Sequence, residues 1–325
     1  MYLRRLLLVI SLAGVSAYLI GAFFDHRYKK RMEYYVFDKM AVATKKNKDF
    51  DIIYLGNSLV HSGINPYYVD SITGLQSYNL GIGACDEEEM KLLTTVYLQH
   101  HQPPAYAVIG VDKSMLVKYN ILHERFPYLF YLDNDTVYSY LNKNGFPTWL
   151  IKTIPFFKYS FFDEYNRTAV FLRGNTIQRF DHNIYNGFVN GNKTIATDTV
   201  AVQPDEQSMW RELPQSKKIN DSAAATFMQT VSLLQSRGTR VIFLFPPRRV
   251  NKRLLNEEFQ QLNRFFLDLA AKSGIPVLRT DTSSMYSNEY FCDNFHMNEP
   301  GSRILSMQVG EFIRSHIEGN QVKVY

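Results

Sequence analysis

Three observations predict an α/β fold with a doubly wound, mostly parallel five-stranded sheet. Five short apolar runs of strand length recur along the chain, and helical stretches lie between them. Side chains of catalytic type follow the strands at their carboxyl ends. A large aromatic-rich insertion and an N-terminal transmembrane helix complete the expected architecture.

Residues 1–27 read as a membrane anchor. Leu6 to Phe24 is an uncharged run of about 19 residues, roughly 28 Å long as a helix and close to the hydrocarbon thickness of a bilayer. A cleavable signal peptide is the competing reading. The length of the run, and the lack of a clean small-x-small site before the charges, favour an uncleaved anchor. Arg4 and Arg5 precede the run while Arg27, Lys29, Lys30 and Arg31 follow it, so charge does not set the orientation. These residues also carry much of the net charge of +5, which argues against a nucleic-acid partner.

Residues 28–48 predict a stalk helix, with Met32, Tyr35, Val36 and Met40 at roughly helical spacing. The catalytic domain follows over 49–325, and a chain that is 46% hydrophobic can bury a core of that size. Its strands are Asp51–Leu55, Ser77–Leu80, Tyr106–Val111, Arg240–Phe245 and Ile275–Leu278. They are almost continuously apolar, as in a sheet covered on both faces. Helices are expected over Glu87–His100, Ser222–Ser236, Leu254–Lys272 and Glu299–Ile317, giving right-handed crossovers between parallel strands. Asn298 can cap the last of these, with Pro300 in its first turn, where a missing amide costs little.

The segment 113–220 lacks clear periodicity and is too long for a plain loop. It reads as an inserted cap. Tyr119, Phe126, Tyr128, Phe130, Tyr131, Phe161, Phe162, Phe180, Tyr185 and Phe188 either form its own small core or stack on a substrate.

Two cysteines exclude a disulfide scaffold and a thiolate metal site. Cys85 and Cys292 sit in loops carrying candidate catalytic blocks and are either separate thiols or an oxidised pair. His100, His101 and His182 have no metal-ligand spacing and read as solvated, so no metal or cofactor is expected.

The chemistry lies at strand ends, where open parallel sheets gather reacting groups. Gly56-Asn57-Ser58-Leu59 follows the first strand, Gly81-Ile82-Gly83-Ala84 the second and Gly110-Val111-Asp112 the third, while Asp293-Asn294-Phe295-His296 precedes the last helix. A serine hydroxyl needs an imidazole to take its proton and a carboxylate to orient the imidazole. Ser58, His296 and Asp293 are those three groups. His61 is a weaker rival base, on the same turn as Ser58. Pro246-Pro247-Arg248-Arg249 follows the fourth strand, and Arg248 or Arg249 can fork onto an anionic substrate group or belong to a solvated basic loop with Lys252 and Arg253.

In these blocks the chain resembles the SGNH (GDSL-like) hydrolase superfamily. The resemblance covers the sheet blocks and not the insertion, and implies an SGNH/flavodoxin-like sheet. It implies an oxyanion hole from the Ser58 amide, the amide of Gly83 or Ala84, and the Asp112 position. Asp112 stands where the family has Asn, and an ionised carboxylate accepts hydrogen bonds only. It would repel a developing oxyanion unless protonated or turned to a substrate hydroxyl, and the donor role would fall to Asn57 or Asn79.

The expected function is a serine esterase or O-acyltransferase acting through a Ser58 acyl-enzyme. The first block and the anchor resemble envelope-associated types, which implies acetyl esters of a cell-envelope or exported polysaccharide. It also implies an extracytoplasmic body and leaves room for a membrane acyl-donor protein. The alternative is a non-catalytic glycan-binding protein of the same fold, suggested by Asp112.

Overall fold

The computed structural model describes residues 2–29, 35–45, 48–116, 126–161, 184–189, 219–249, 257–283, 285–293 and 295–319. The chain divides into two compact units. One comprises residues 1–41 with 124–179, the other residues 42–123 with 180–325.

The second unit holds a five-stranded parallel sheet. Its strands are β1 (Ile52–Leu55), β2 (Ser77–Asn79), β3 (Tyr106–Gly110), β6 (Arg240–Phe245) and β7 (Val277–Arg279), in spatial order β2-β1-β3-β6-β7. The side-chain period of two sorts each strand between two helical layers. On one face Ile52, Tyr54, Val108, Ile242 and Leu244 pack with Val69 of α4 (Pro66–Thr73) and Leu305, Val309 and Phe312 of α10 (Glu299–Ile317). On the other face Phe243 meets Phe227 of α8 (Asp221–Ser236) at 5.8 Å and Phe266 of α9 (Glu257–Ser273) at 6.3 Å between ring centroids. α5 (Glu87–His100) belongs to the same unit, and the double cover explains the unbroken apolar strands.

The last helix starts as its sequence predicts. The Asn298 side chain accepts from the Gly301 amide at 3.1 Å, and Pro300 lies in the first turn.

The insertion 113–220 is not one body. Among its described residues, 126–161 fall with the first unit, whereas the hairpin of β4 (Ile184–Tyr185) and β5 (Phe188–Val189) falls with the second. The hairpin is held at the free edge of β2. Asn79 donates its amide to the Asn186 carbonyl at 2.8 Å, and Asn186 Nδ2 donates to the Ser77 carbonyl at 3.0 Å. Tyr128, Phe130 and Phe188 are buried, so their aromatic character serves packing, while Phe161 and Tyr185 remain exposed. Tyr119, Phe162 and Phe180 lie outside the described residues, as do His182, Lys252 and Arg253, and of Phe126 only the backbone is described.

In the first unit, α1 (Tyr2–Lys29) includes Tyr2–His26, a stretch long and apolar enough to cross a membrane. The helix expected as a stalk over 28–48 is α2 (Tyr35–Thr44), and its apolar stripe is a packing face. Val36, Phe37 and Met40 are buried, the Phe37 ring meets Phe130 at 5.2 Å, and Tyr131 donates its hydroxyl to the Phe37 carbonyl. The expectation of a solvated side chain fails at His101. It is buried, stacked on Tyr97 at 4.3 Å, and donates from Nε2 to the Val42 carbonyl at 2.8 Å.

Candidate active site

β1 ends at Leu55, and the chain turns through Gly56 into the single turn α3 (Ser58–His61). Gly56 has φ +146°, a conformation that side chains other than hydrogen rarely adopt. Asn57 caps the turn, its side-chain oxygen accepting from the Leu59 amide at 3.0 Å. Ser58 is therefore the first helical residue, and its own amide donates to no group among the described residues.

Val60 fixes where this turn sits. Its side chain drops between the ends of three strands, and each is glycine at the contact. A Cβ on Gly56 would lie 2.6 Å from Val60, one on Gly81 3.0 Å and one on Gly110 2.2 Å. No side chain fits at the closest of these, since carbon atoms pack at about 3.5–4.0 Å. Asn79 adds a polar staple. Its Nδ2 donates to the carbonyls of Val60 at 2.8 Å and Ile64 at 2.7 Å, and its Oδ1 accepts from the Gly81 amide at 2.9 Å. Asn79 is thereby committed to positioning the turn and not to donating into an oxyanion hole.

From the other end of the chain, the loop before α10 is closed by a bridge between Phe291 and Met297 and by Asn298, which donates to the Glu289 carbonyl at 2.6 Å. It carries Asp293 and His296. Asp293 Oδ1 accepts the amides of Phe295 at 2.7 Å and His296 at 2.6 Å, while Oδ2 accepts from His296 Nδ1 at 2.7 Å. His296 Nε2 in turn lies 2.8 Å from Ser58 Oγ. With Nδ1–H given to the carboxylate, Nε2 carries the lone pair that accepts the serine proton.

Partial burial pushes the Asp293 carboxyl upward, but the hydrogen bond and charge of His296, with the two amides, outweigh it and hold the group below its ordinary value. The carboxylate therefore stays ionised and keeps the imidazole in the required tautomer. Cys292 is its opposite. Burial, with the neighbouring Asp293 charge, raises its thiol to about 11, and Sγ donates to the His296 carbonyl at 3.3 Å. Cys85 and Cys292 are both free thiols, Cys85 donating to the Asp86 carbonyl.

The remaining expected residues lie at the same sheet edge. Gly83 and Ala84 form the turn after β2. Ala84 has φ 51°, the left-handed region where its Cβ costs about 1–2 kcal/mol. Its amide, like that of Ser58, donates to no described group. Asp112 follows β3 and forms an ion pair with Arg248, which follows β6, with Asp112 buried and Arg248 largely so. Burial lowers the Arg248 guanidinium to about 10, opposed by the charge of Asp281, and the group stays cationic at neutral pH. Arg249 is buried as well, so Pro246-Pro247-Arg248-Arg249 is not a solvated basic loop. His61 is buried in α3 on the turn that carries Ser58.

No family profile matches the chain, and no curated protein matches it. Solved structures do. One is described as a putative acylhydrolase from Bacteroides fragilis, at 12% identity over 85% of this chain and 94% of that one, with a TM-score of 0.40. Another is described as a GDSL-like lipase from Bacteroides thetaiotaomicron, at 11% identity over 88% and 99%, with a TM-score of 0.39. Overlays this loose do not bear on activity. The chain itself contains a doubly wound parallel α/β unit with Ser58, His296 and Asp293 hydrogen-bonded in series at the carboxyl edge of its sheet.

Proposed function

We propose that this protein is an SGNH-like serine enzyme acting on acyl esters. The observation that carries the reading is the unbroken relay Ser58–His296–Asp293, in which Ser58 and His296, 238 residues apart, meet at 2.8 Å and His296 meets Asp293 at 2.7 Å. Ser58 Oγ attacks the ester carbonyl while His296 Nε2 takes its proton, and the same proton passes to the departing alcohol oxygen. The acyl-enzyme is then opened by a second hydroxyl, deprotonated by His296, and Ser58 recovers its proton. Water as the second hydroxyl gives an esterase, and a sugar hydroxyl gives an O-acyltransferase. The amides of Ser58 and Ala84 supply candidate oxyanion donors, with Gly83 and Asn57 beside them.

The pairing of Asp112 with Arg248 supports a pocket without net negative charge at the third block. It weighs against the non-catalytic reading, which an uncompensated Asp112 charge would favour. By resemblance of the first block and the apolar helix, the substrate we propose is an acetylated envelope or exported polysaccharide, with the body outside the cytoplasm and a membrane protein as a candidate acyl donor. The test incubates the full chain, in detergent, with acetylated polysaccharide, alone and with an acceptor sugar. Release of acetate, or its transfer, that disappears in Ser58→Ala is the expected result. Equal acetate release by wild type and Ser58→Ala would sink the proposal.

A further inference from the structure

The segment after α6 (Asp135–Lys143) turns back onto the first helix at a definite depth. It comprises α7 (Thr148–Thr153) and a 3-10 turn over Phe157–Phe161. A Cβ on Gly21 would lie 3.8 Å from Pro155, and Gly21 is the buried exception in the otherwise exposed run around it. The Phe24 ring meets Phe156 at 6.3 Å. Asp25 accepts from Lys158 Nζ at 2.5 Å and from the Tyr159 hydroxyl at 2.8 Å. Phe156 is held at φ 65°, in the left-handed region that residues with a side chain disfavour, and its ring meets those of Phe24 and Tyr159.

These contacts fix where the segment falls if Tyr2–His26 spans a bilayer. Centred in a hydrocarbon layer of about 30 Å at 1.5 Å per residue, the helix crosses the boundary near residue 24. Asp25 then sits at the boundary, and Gly21 roughly 4 Å beneath it. Pro155 shares the depth of Gly21. In the same segment Trp149, Ile154, Phe156 and Phe161 are exposed, Trp149 by 65% of its surface. Lys152, paired with Asp133 at 3.2 Å, belongs to the same segment, and Lys29, over the Tyr131 ring at 4.7 Å, lies roughly one to two turns of α1 beyond the boundary, on the head-group side. Exposed Trp and Phe side chains on a segment edged by lysines, within a few ångströms of the hydrocarbon boundary, are the composition of an interfacial segment.

We propose that residues 147–161 are a membrane-interface collar whose partner is a phospholipid bilayer, seated beside the span and buried through Trp149, Ile154, Phe156 and Phe161. The proposal rests on α1 being a retained span. A cleaved signal would leave Lys158 and Tyr159 without Asp25. The collar holds the first unit at the membrane surface by contacts beyond the span itself.

The test uses the full chain in vesicles of phosphatidylcholine and phosphatidylglycerol. The chain has two tryptophans, Trp149 and Trp210, so the emission of Trp149 is read in Trp210→Phe. It is also read as the difference between wild type and Trp149→Phe, should the first variant misfold. Lipids brominated near the upper acyl positions are expected to quench Trp149 by half or more, and lipids brominated toward the bilayer centre less. Trp149 emission that bromolipids leave unchanged would overturn the collar, including the case in which another membrane protein covers this face. Alkaline extraction separates the two failures: a chain washed off the vesicles refutes the span and the collar together, while a retained chain with unquenched Trp149 refutes the collar alone.

Discussion

Asp112 shows how a residue's meaning changes once its neighbour is known. In sequence it is a carboxylate in a position that calls for a donor, and substitution by Asn looks like a repair. In the folded chain it is the counter-charge of buried Arg248, so the same substitution strips a buried cation of its partner. Removing one member of a buried pair costs about 3–5 kcal/mol, and the nearby Asp281 offsets part of that. Asp112→Asn is therefore expected to lower unfolding stability by roughly 2–4 kcal/mol in urea titration. An unchanged midpoint would show that the pair contributes nothing. Ser58, Asp293 and His296 were legible in sequence because a hydroxyl, an imidazole and a carboxylate at strand ends announce their chemistry by type. Arg248 was not, because nothing local indicates that two residues 136 positions apart will neutralise each other. Asn79 stood as an open alternative to Asn57 for the same reason, since an amide looks alike whether it binds substrate or backbone.

Among elements, the single turn α3 matters most, and what locates it is steric. Three glycines at the ends of β1, β2 and β3 leave the volume that Val60 fills. Their recurrence was visible in sequence, but not the side chain that makes them necessary. Gly110→Ala puts a methyl where Val60 Cγ2 already stands, 2.2 Å away, and α3 must move by about an ångström to relieve it. A shift of that size in a catalytic group costs on the order of a hundredfold in rate. The expected result is a hundredfold fall in kcat that Val60→Ala largely restores in the double variant. Failure of Val60→Ala to restore any rate would place the damage elsewhere. The strands and long helices were read to within a few residues, because burial on both faces leaves an unmistakable apolar run. α2 was read as a spacer because a ten-residue amphipathic helix looks the same whether its stripe is packed or idle.

For the molecule as a whole, the parallel sheet and its edge were predictable from alternation of strand and helix, whereas the division of the chain was not. Residues 126–161 belong with α1, and the hairpin 184–189 belongs with the sheet. Aromatic content alone could not separate these pieces, since Phe188 and Phe161 are alike in sequence and opposite in burial. The fold brings Ser58 and His296 together through β1 at one end of the unit's sequence and α10 at the other, so the proposed activation of Ser58 requires the assembled unit. The most direct measurement is reaction of the folded chain with a fluorophosphonate, followed by peptide mass spectrometry. A single adduct on Ser58, absent in Ser58→Ala and formed far more slowly in His296→Ala, is the predicted result. A folded protein that takes up no label, or takes it up equally well without His296, would contradict the central claim that this relay activates Ser58.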